Sequence, residues 1–196
     1  MPIPNSNFGA SLFLDELGLQ CQLFNRGIAA LEEAAKHWQA VEAGIDDGQT
    51  VPPLKIIADC TVCLSSLAAI RRILYPNQSS ANTKSRATSM LLLLGNPALS
   101  NVSAVRVRNS WEHFDQRLDE MLKERARTGG AVEPLRVSAR AQDNSSIVLR
   151  CFDPVSFSIR FLGETILLRP CIEEIIDLSE RIQNGYLRLQ AEEFRV

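Results

Sequence analysis

The chain has little of what most often announces a function. It holds only two histidines in 196 residues. Charge of one sign is also lacking. Twenty-one Lys and Arg against 23 Asp and Glu give a formal net charge of −2. That excludes strong non-specific attraction to polyanions and leaves nucleic-acid contact to a local basic patch. The start, MPIPNSNFGASLFLDEL, lacks the basic segment and apolar run of a secretory signal. The leucine run 91–94 is far short of the roughly 20 residues that span a bilayer, so the sequence predicts a cytoplasmic chain with no membrane contact. Internal repeats and low-complexity tracts are absent, and the cysteines form no paired framework. The five at 21, 60, 63, 151 and 171 are an odd number. Without a secretory context they are expected to be reduced and buried. Cys60 and Cys63 make one CxxC, with no second pair and no nearby histidine, so core packing is favoured over zinc or redox chemistry. No cofactor and no metal are expected.

What is present is helical periodicity. From about Ser11 to Glu42, Leu17, Phe24, Ile28, Leu31 and Ala35 recur at spacings of three, four or seven. Gly18 and Gly27 leave open one helix or two. His37 lies near the end of this segment, where a histidine favours the helix dipole. AGIDDGQTVPP at 43–53 breaks the pattern, and a second, mostly apolar helix follows over 54–75, closed by Arg71 and Arg72. A short helix ends at Gly95-Asn96-Pro97. A long one begins near Asn101 and runs to about Arg127, where Thr128-Gly129-Gly130 stops it. The pattern then alternates: SSIVLRCF at 145–152, FSIRF at 157–161 and TILLR at 165–169 predict a small antiparallel hairpin or meander. Pro170 opens a final helix whose apolar side holds Ile172, Ile175, Ile176, Leu178 and Ile182. The expected fold is mainly α: one domain over 1–196, a helical bundle with a β insertion at about 145–169 before the C-terminal helix.

The long helix organises the rest. Val107, Trp111, Phe114, Leu118, Met121 and Leu122 form one apolar arc. Arg108, Asn109, Glu112, His113, Asp115, Gln116 and Asp119 fall outside it. Arg108 and Glu112 are one turn apart, as are Asn109 and His113. An arginine fork matches phosphate oxygens, and a histidine can move a proton near neutral pH. Together they suffice in principle for metal-free RNA cleavage, with His113 assisting the 2′-hydroxyl or leaving oxygen and Arg108 stabilising the phosphoryl oxygens. Five positions apart on a helix, the two lie about 140° apart, which a second copy across a two-fold axis would resolve. The same residues are also what an ordinary solvated helix face carries.

RNSWEH at 108–113 resembles the R-x4–6-H signature of the HEPN domains, with the polar residue after the arginine present as Asn109. The resemblance implies a HEPN-like helical bundle that dimerises with its motif helices facing each other, in many members a metal-independent endoribonuclease of toxin or defence type. By position it makes Arg108 and His113 the catalytic pair, Asn109 a supporting polar residue and Glu112 a balancing or orienting group. RNA and a cognate antitoxin or other protein are the implied partners, with a non-catalytic dimeric RNA-binding, nucleotide-binding or protein-interaction module as the alternative. Glu112, Asp115 and Asp119 lower the positive potential around Arg108, and Arg106, Lys123, Arg125 and Arg127 offset them.

Overall fold

A single helix of 36 residues, α1 (Asn7–Glu42), opens the chain, and Gly18 and Gly27 do not divide it. The computed structural model describes residues 7–45, 51–76, 80–103, 116, 118–123, 129, 131–138, 146–161 and 164–193. The buried positions of α1, Leu14, Leu17, Cys21, Phe24, Ile28, Leu31 and Ala35, alternate steps of three and four, which keeps one stripe inward along the whole helix. Gly27 has a packing role that offsets its low propensity. A Cβ there would lie 2.6 Å from Cys63 Sγ and 3.2 Å from the Asp59 carbonyl oxygen, so the absent side chain lets α1 approach α2 (Pro53–Leu74).

In α2, Pro53 occupies the first helical position, where its missing N–H costs nothing. Arg71 and Arg72 stand in the last turn, as expected. Contrary to the expectation from leucine runs, α2 is long and apolar enough to cross a bilayer by length and composition, with a mean hydropathy of 1.6 over its most apolar window. Within the fold, its Ile56, Cys60, Cys63, Leu64, Leu67, Ala68, Ile70 and Leu74 are core residues. The next helix, α3 (Ala81–Leu93), is capped by Ser80, whose hydroxyl accepts from the Thr83 N–H. It ends in a Schellman turn, with Gly95 N–H on the Leu92 carbonyl and Asn96 N–H on the Leu91 carbonyl. Both closing residues have positive φ, 70° at Gly95 and 53° at Asn96. The one-turn helix α4 (Ser100–Ser103) follows.

The β region is richer than a meander. SSIVLRCF is two strands rather than one, β3 (Ser146–Val148) and β4 (Arg150–Asp153), interrupted at Leu149. They join different sheets. β3 pairs in parallel with β1 (Ala131–Glu133), and β4 pairs in parallel with β2 (Arg136–Val137). The antiparallel part matches the sequence reading: β4 pairs with β5 (Ser158–Phe161), and β5 with β6 (Glu164–Leu167), giving the order β2-β4-β5-β6. The unexpected strands β1 and β2 are two or three residues long, too short to show an alternating pattern. The β4–β5 turn is built on Asp153, whose Oδ1 accepts from Val155 N–H at 2.9 Å and Ser156 N–H at 3.1 Å. Phe157 closes it at φ 50° and is held there by burial and an edge-on contact with Phe152.

The final helix, α5 (Leu168–Glu193), starts two residues before Pro170. Its inward stripe is Cys171, Ile175, Leu178, Ile182, Gly185 and Leu189. Ile176, placed on the apolar side from sequence, is 52% exposed because it sits one residue off that stripe. The architecture is thus mostly helical with a small mixed sheet before the C-terminal helix. The chain divides into two compact units, one of Met1–Asn25, Leu64–Ala104 and Pro170–Val196, the other of Arg26–Cys63 and Val105–Arg169.

Candidate functional site

The sequence-predicted site falls outside the described residues. This holds for Arg108, Asn109, Glu112 and His113, and for Val107, Trp111 and Phe114 of the supporting arc. What the structure describes is the two ends of their stretch. At the far end residues 118–123 are helical, with Met121 buried and Asp119 and Lys123 exposed, as the arc requires. Leu122 departs from it at 48% exposure, because the buried line runs along the Met121 side and leaves position 122 at the wet edge.

The near end is held by side chains from elsewhere in the same unit. Glu174 of α5 acts as an N-terminal cap for α4. Its Oε1 accepts from Asn101 N–H at 2.9 Å, Asn101 Nδ2 at 2.7 Å and Ser100 Oγ at 3.0 Å, and its Oε2 accepts from Val102 N–H at 2.8 Å. A helix leaves its first N–H groups without internal partners, and one carboxylate here satisfies two of them while meeting the positive end of the dipole. At the other end of this turn, Arg71 Nε donates to the Ser103 carbonyl at 3.0 Å. The turn that leads into 104–115 is therefore fixed at both ends by charged side chains from α2 and α5. Sequence reading missed Glu174, since a cap supplied in trans has no local signature.

The CxxC pair is core. Cys60 and Cys63 are fully buried and not joined in a disulfide, and burial pushes the Cys60 thiol well above its ordinary range, with the neighbouring Cys63, Asp59 and Cys151 adding to the effect. Thiols held protonated in this way are poor nucleophiles and poor metal ligands. Among the described residues no three His, Cys, Asp or Glu side chains gather to hold a metal ion.

Among the described residues each unit holds a cavity of about 550 Å³. In the first unit, Asp15, Gln22, Asn25, Gln183 and Tyr186 give a polar lining. Tyr186 Oη donates to Asp15 Oδ1 there. Burial, then the bond to Asp15 and its negative charge, raise the Tyr186 hydroxyl to about 12. In the second unit, Ala34, Trp38, Val41, Ile56 and Val137 give an apolar lining in which His37 is the only ionisable residue among the described ones. His37 is therefore half-buried in a cavity wall rather than a solvated helix-end group. The sequence signal was the spacing of 34, 38, 41 and 45, which continues an apolar face past the last fully buried position of α1. No family model, curated protein or solved structure matches the chain.

Proposed function

We propose that the protein is a HEPN-like, metal-independent endoribonuclease of toxin or defence type, acting as a homodimer on RNA. The observation that carries this reading is the order Arg108-Asn109 then His113 on the expected long helix, whose entry turn Ser100–Ser103 is fixed by Glu174 and Arg71. A mostly helical architecture and a helical 118–123 agree with such a helix. In the proposed reaction His113 accepts the ribose 2′-hydroxyl proton as that oxygen attacks the adjacent phosphorus. The bond from phosphorus to the 5′-oxygen breaks, and that oxygen leaves with a proton supplied by the partner's copy of the histidine or by water. The products are a 2′,3′-cyclic phosphate and a 5′-hydroxyl. Arg108 stabilises the charge on the non-bridging oxygens, a role its permanent cation and fork geometry suit. Asn109 positions the phosphate, and Glu112 orients His113 or balances Arg108.

The test is incubation of purified protein with mixed RNA in EDTA, beside Arg108→Ala and His113→Ala. Cleavage by wild type that falls at least about 100-fold in each variant supports the reading. Mixing the two inactive variants should restore part of the activity, because each heterodimer would rebuild one composite cleft. RNA left equally intact by wild type and His113→Ala across pH 5–9 removes the enzymatic reading. In that case a shift of the monomer–dimer equilibrium in the same variants, read by ultracentrifugation, identifies a non-catalytic dimeric module instead.

A further inference from the structure

The polar cavity of the first unit uses none of the residues of the proposed RNA site. It is a trough between α1 and α5, lined from residues 14–25 and 179–186, both unbroken among the described residues. At about 550 Å³ it is larger than a packing defect and within the size range of small-molecule sites. The two helices run antiparallel along it. Tyr186 meets Asp15 at one end, Gly185 lies against Leu14 beside them, and Ser179 hydrogen-bonds to Cys21 further along. From Asp15 to Asn25 the lining follows α1 for roughly 15 Å, at about 1.5 Å per residue.

The floor is apolar, with Leu14, Cys21 and Ile182 buried beneath it. Gly18 lies in the same floor, a poor helix former in mid-helix. The other described helical glycines have a packing reason. A Cβ at Gly27 would strike Cys63 Sγ, and one at Gly185 would touch Leu14 at 3.4 Å. A Cβ at Gly18 would meet nothing within 4 Å among the described residues. What Gly18 provides is room in the trough.

The rims carry polar groups that are open to a ligand. The amides of Gln22, Asn25 and Gln183 are exposed, with no hydrogen-bond partner among the described residues. Each presents an acceptor oxygen and a donor NH₂. Tyr186 takes Asp15 Oδ1, which leaves Oδ2 as a second acceptor, and the phenol oxygen can itself accept. A neutral, polyhydroxylated molecule matches this set. Each hydroxyl both donates and accepts, as each amide does, and neighbouring hydroxyls can share one carboxylate. An anion would meet Asp15 as a like charge, and a cation would leave the amide donors unmatched. A pyranose ring also has an apolar face of C–H groups for the floor, between edges of hydroxyls for the rims. A trough running along two helices suits an extended β-1,4-linked chain better than a curling α-1,4-linked one. We infer that this trough binds a short, neutral β-1,4-linked oligosaccharide, one ring over Gly18 and its hydroxyls held by Asp15, Gln22, Asn25 and Gln183.

The experiment is calorimetric titration of the full chain with cellotriose and triacetylchitotriose, beside maltotriose, β-1,4-linked triglucuronate and spermidine. Cellotriose or triacetylchitotriose should bind at one site per chain and raise the melting temperature. Maltotriose and triglucuronate should bind at least about tenfold more weakly, and Asp15→Asn should narrow the gap for triglucuronate alone. Gly18→Leu puts a side chain into open space, so it should fold, melt no lower than wild type and lose binding. Gln22→Ala and Asn25→Ala should each weaken binding about three- to tenfold, the worth of a net hydrogen bond. Binding is read without RNA, so the result is independent of the RNA reading. No heat with either cellotriose or triacetylchitotriose would overturn the proposal, as would spermidine binding in their place. So would maltotriose or triglucuronate bound as tightly, or undiminished binding to Gly18→Leu or to both amide variants.

Discussion

The two units join their helices by opposite means. In the first unit, charged side chains of one helix reach the main-chain ends of another. Glu174 caps α4, and Arg71 takes the Ser103 carbonyl. Arg181 Nη1 donates to the carbonyls of Leu94 and Gly95, both at 3.1 Å, and Arg188 Nη1 to that of Leu93 at 2.9 Å, so α5 closes the end of α3 twice. Arg86 likewise donates to the carbonyls of Arg72 and Ile73 at the end of α2. In the second unit, the corresponding device is the absence of a side chain, with Gly27 against Cys63. The cavities follow the same division, polar in the first unit and apolar in the second.

The comparison breaks most sharply at Gly27. A valine there must place Cβ 2.6 Å from Cys63 Sγ, next to a main-chain oxygen that cannot swing aside. Overpacking of this kind costs about 3 kcal/mol. Denaturant unfolding of Gly27→Val should show it, and Cys63→Ala should recover part of the loss by removing the sulfur. If Gly27→Val is as stable as wild type, the helices are not held by close approach. Glu174→Ala tests the other unit. It removes four accepted hydrogen bonds but exposes the freed donors partly to water, so the expected cost is about 2 kcal/mol. Glu174→Gln retains one acceptor oxygen and should cost about half as much. Under the proposed function, Glu174→Ala should also lower RNA cleavage by loosening the entry to the motif stretch, while Gly27→Ala should affect stability alone.

Much of this was readable in the residues, for identifiable reasons. The extent of α2, the stop at Gly95-Asn96-Pro97 and the antiparallel strands β4 to β6 follow from periodicity and local turn chemistry, which act within a few residues. The stripe of α1 was legible, but its continuity through Gly27 was not, because the compensation comes from Cys63 of another helix. The parallel strands β1 and β2 were missed because their register is set by partners about 15 residues on. Ile176 and Leu122 were misplaced for one reason: hydrophobicity says that a residue could be buried, while a shift of 100° about the axis decides whether it is. For the proposed RNA site, the motif named its residues without any geometry. The apolar cavity had only the unfinished face of α1 beyond Ala35 as its signal, since its closure depends on Val137, far along the chain.

The smallest expected effect is protonic and lies in the first unit. The chain has two tyrosines, and the hydroxyls of both are raised, Tyr186 to about 12 and Tyr75 in the same direction by burial and the charge of Glu174. An acid whose folded value exceeds its unfolded value of about 10 favours the folded state while it stays protonated. The contribution of Tyr186 is therefore complete below about pH 10 and is lost as pH rises through about 12. Absorbance titration at 295 nm should show wild type ionising late, with the later step missing in Tyr186→Phe. At pH 8 that variant should lose about 1 kcal/mol or less, the worth of one partly solvated hydrogen bond to Asp15. Between pH 10 and 11.5 the gap between variant and wild type should shrink, since the variant has no proton to lose there. A gap that stays constant would mean that the Tyr186–Asp15 bond does not hold the polar cavity, and that α1 and α5 meet by packing there, as α1 and α2 do at Gly27.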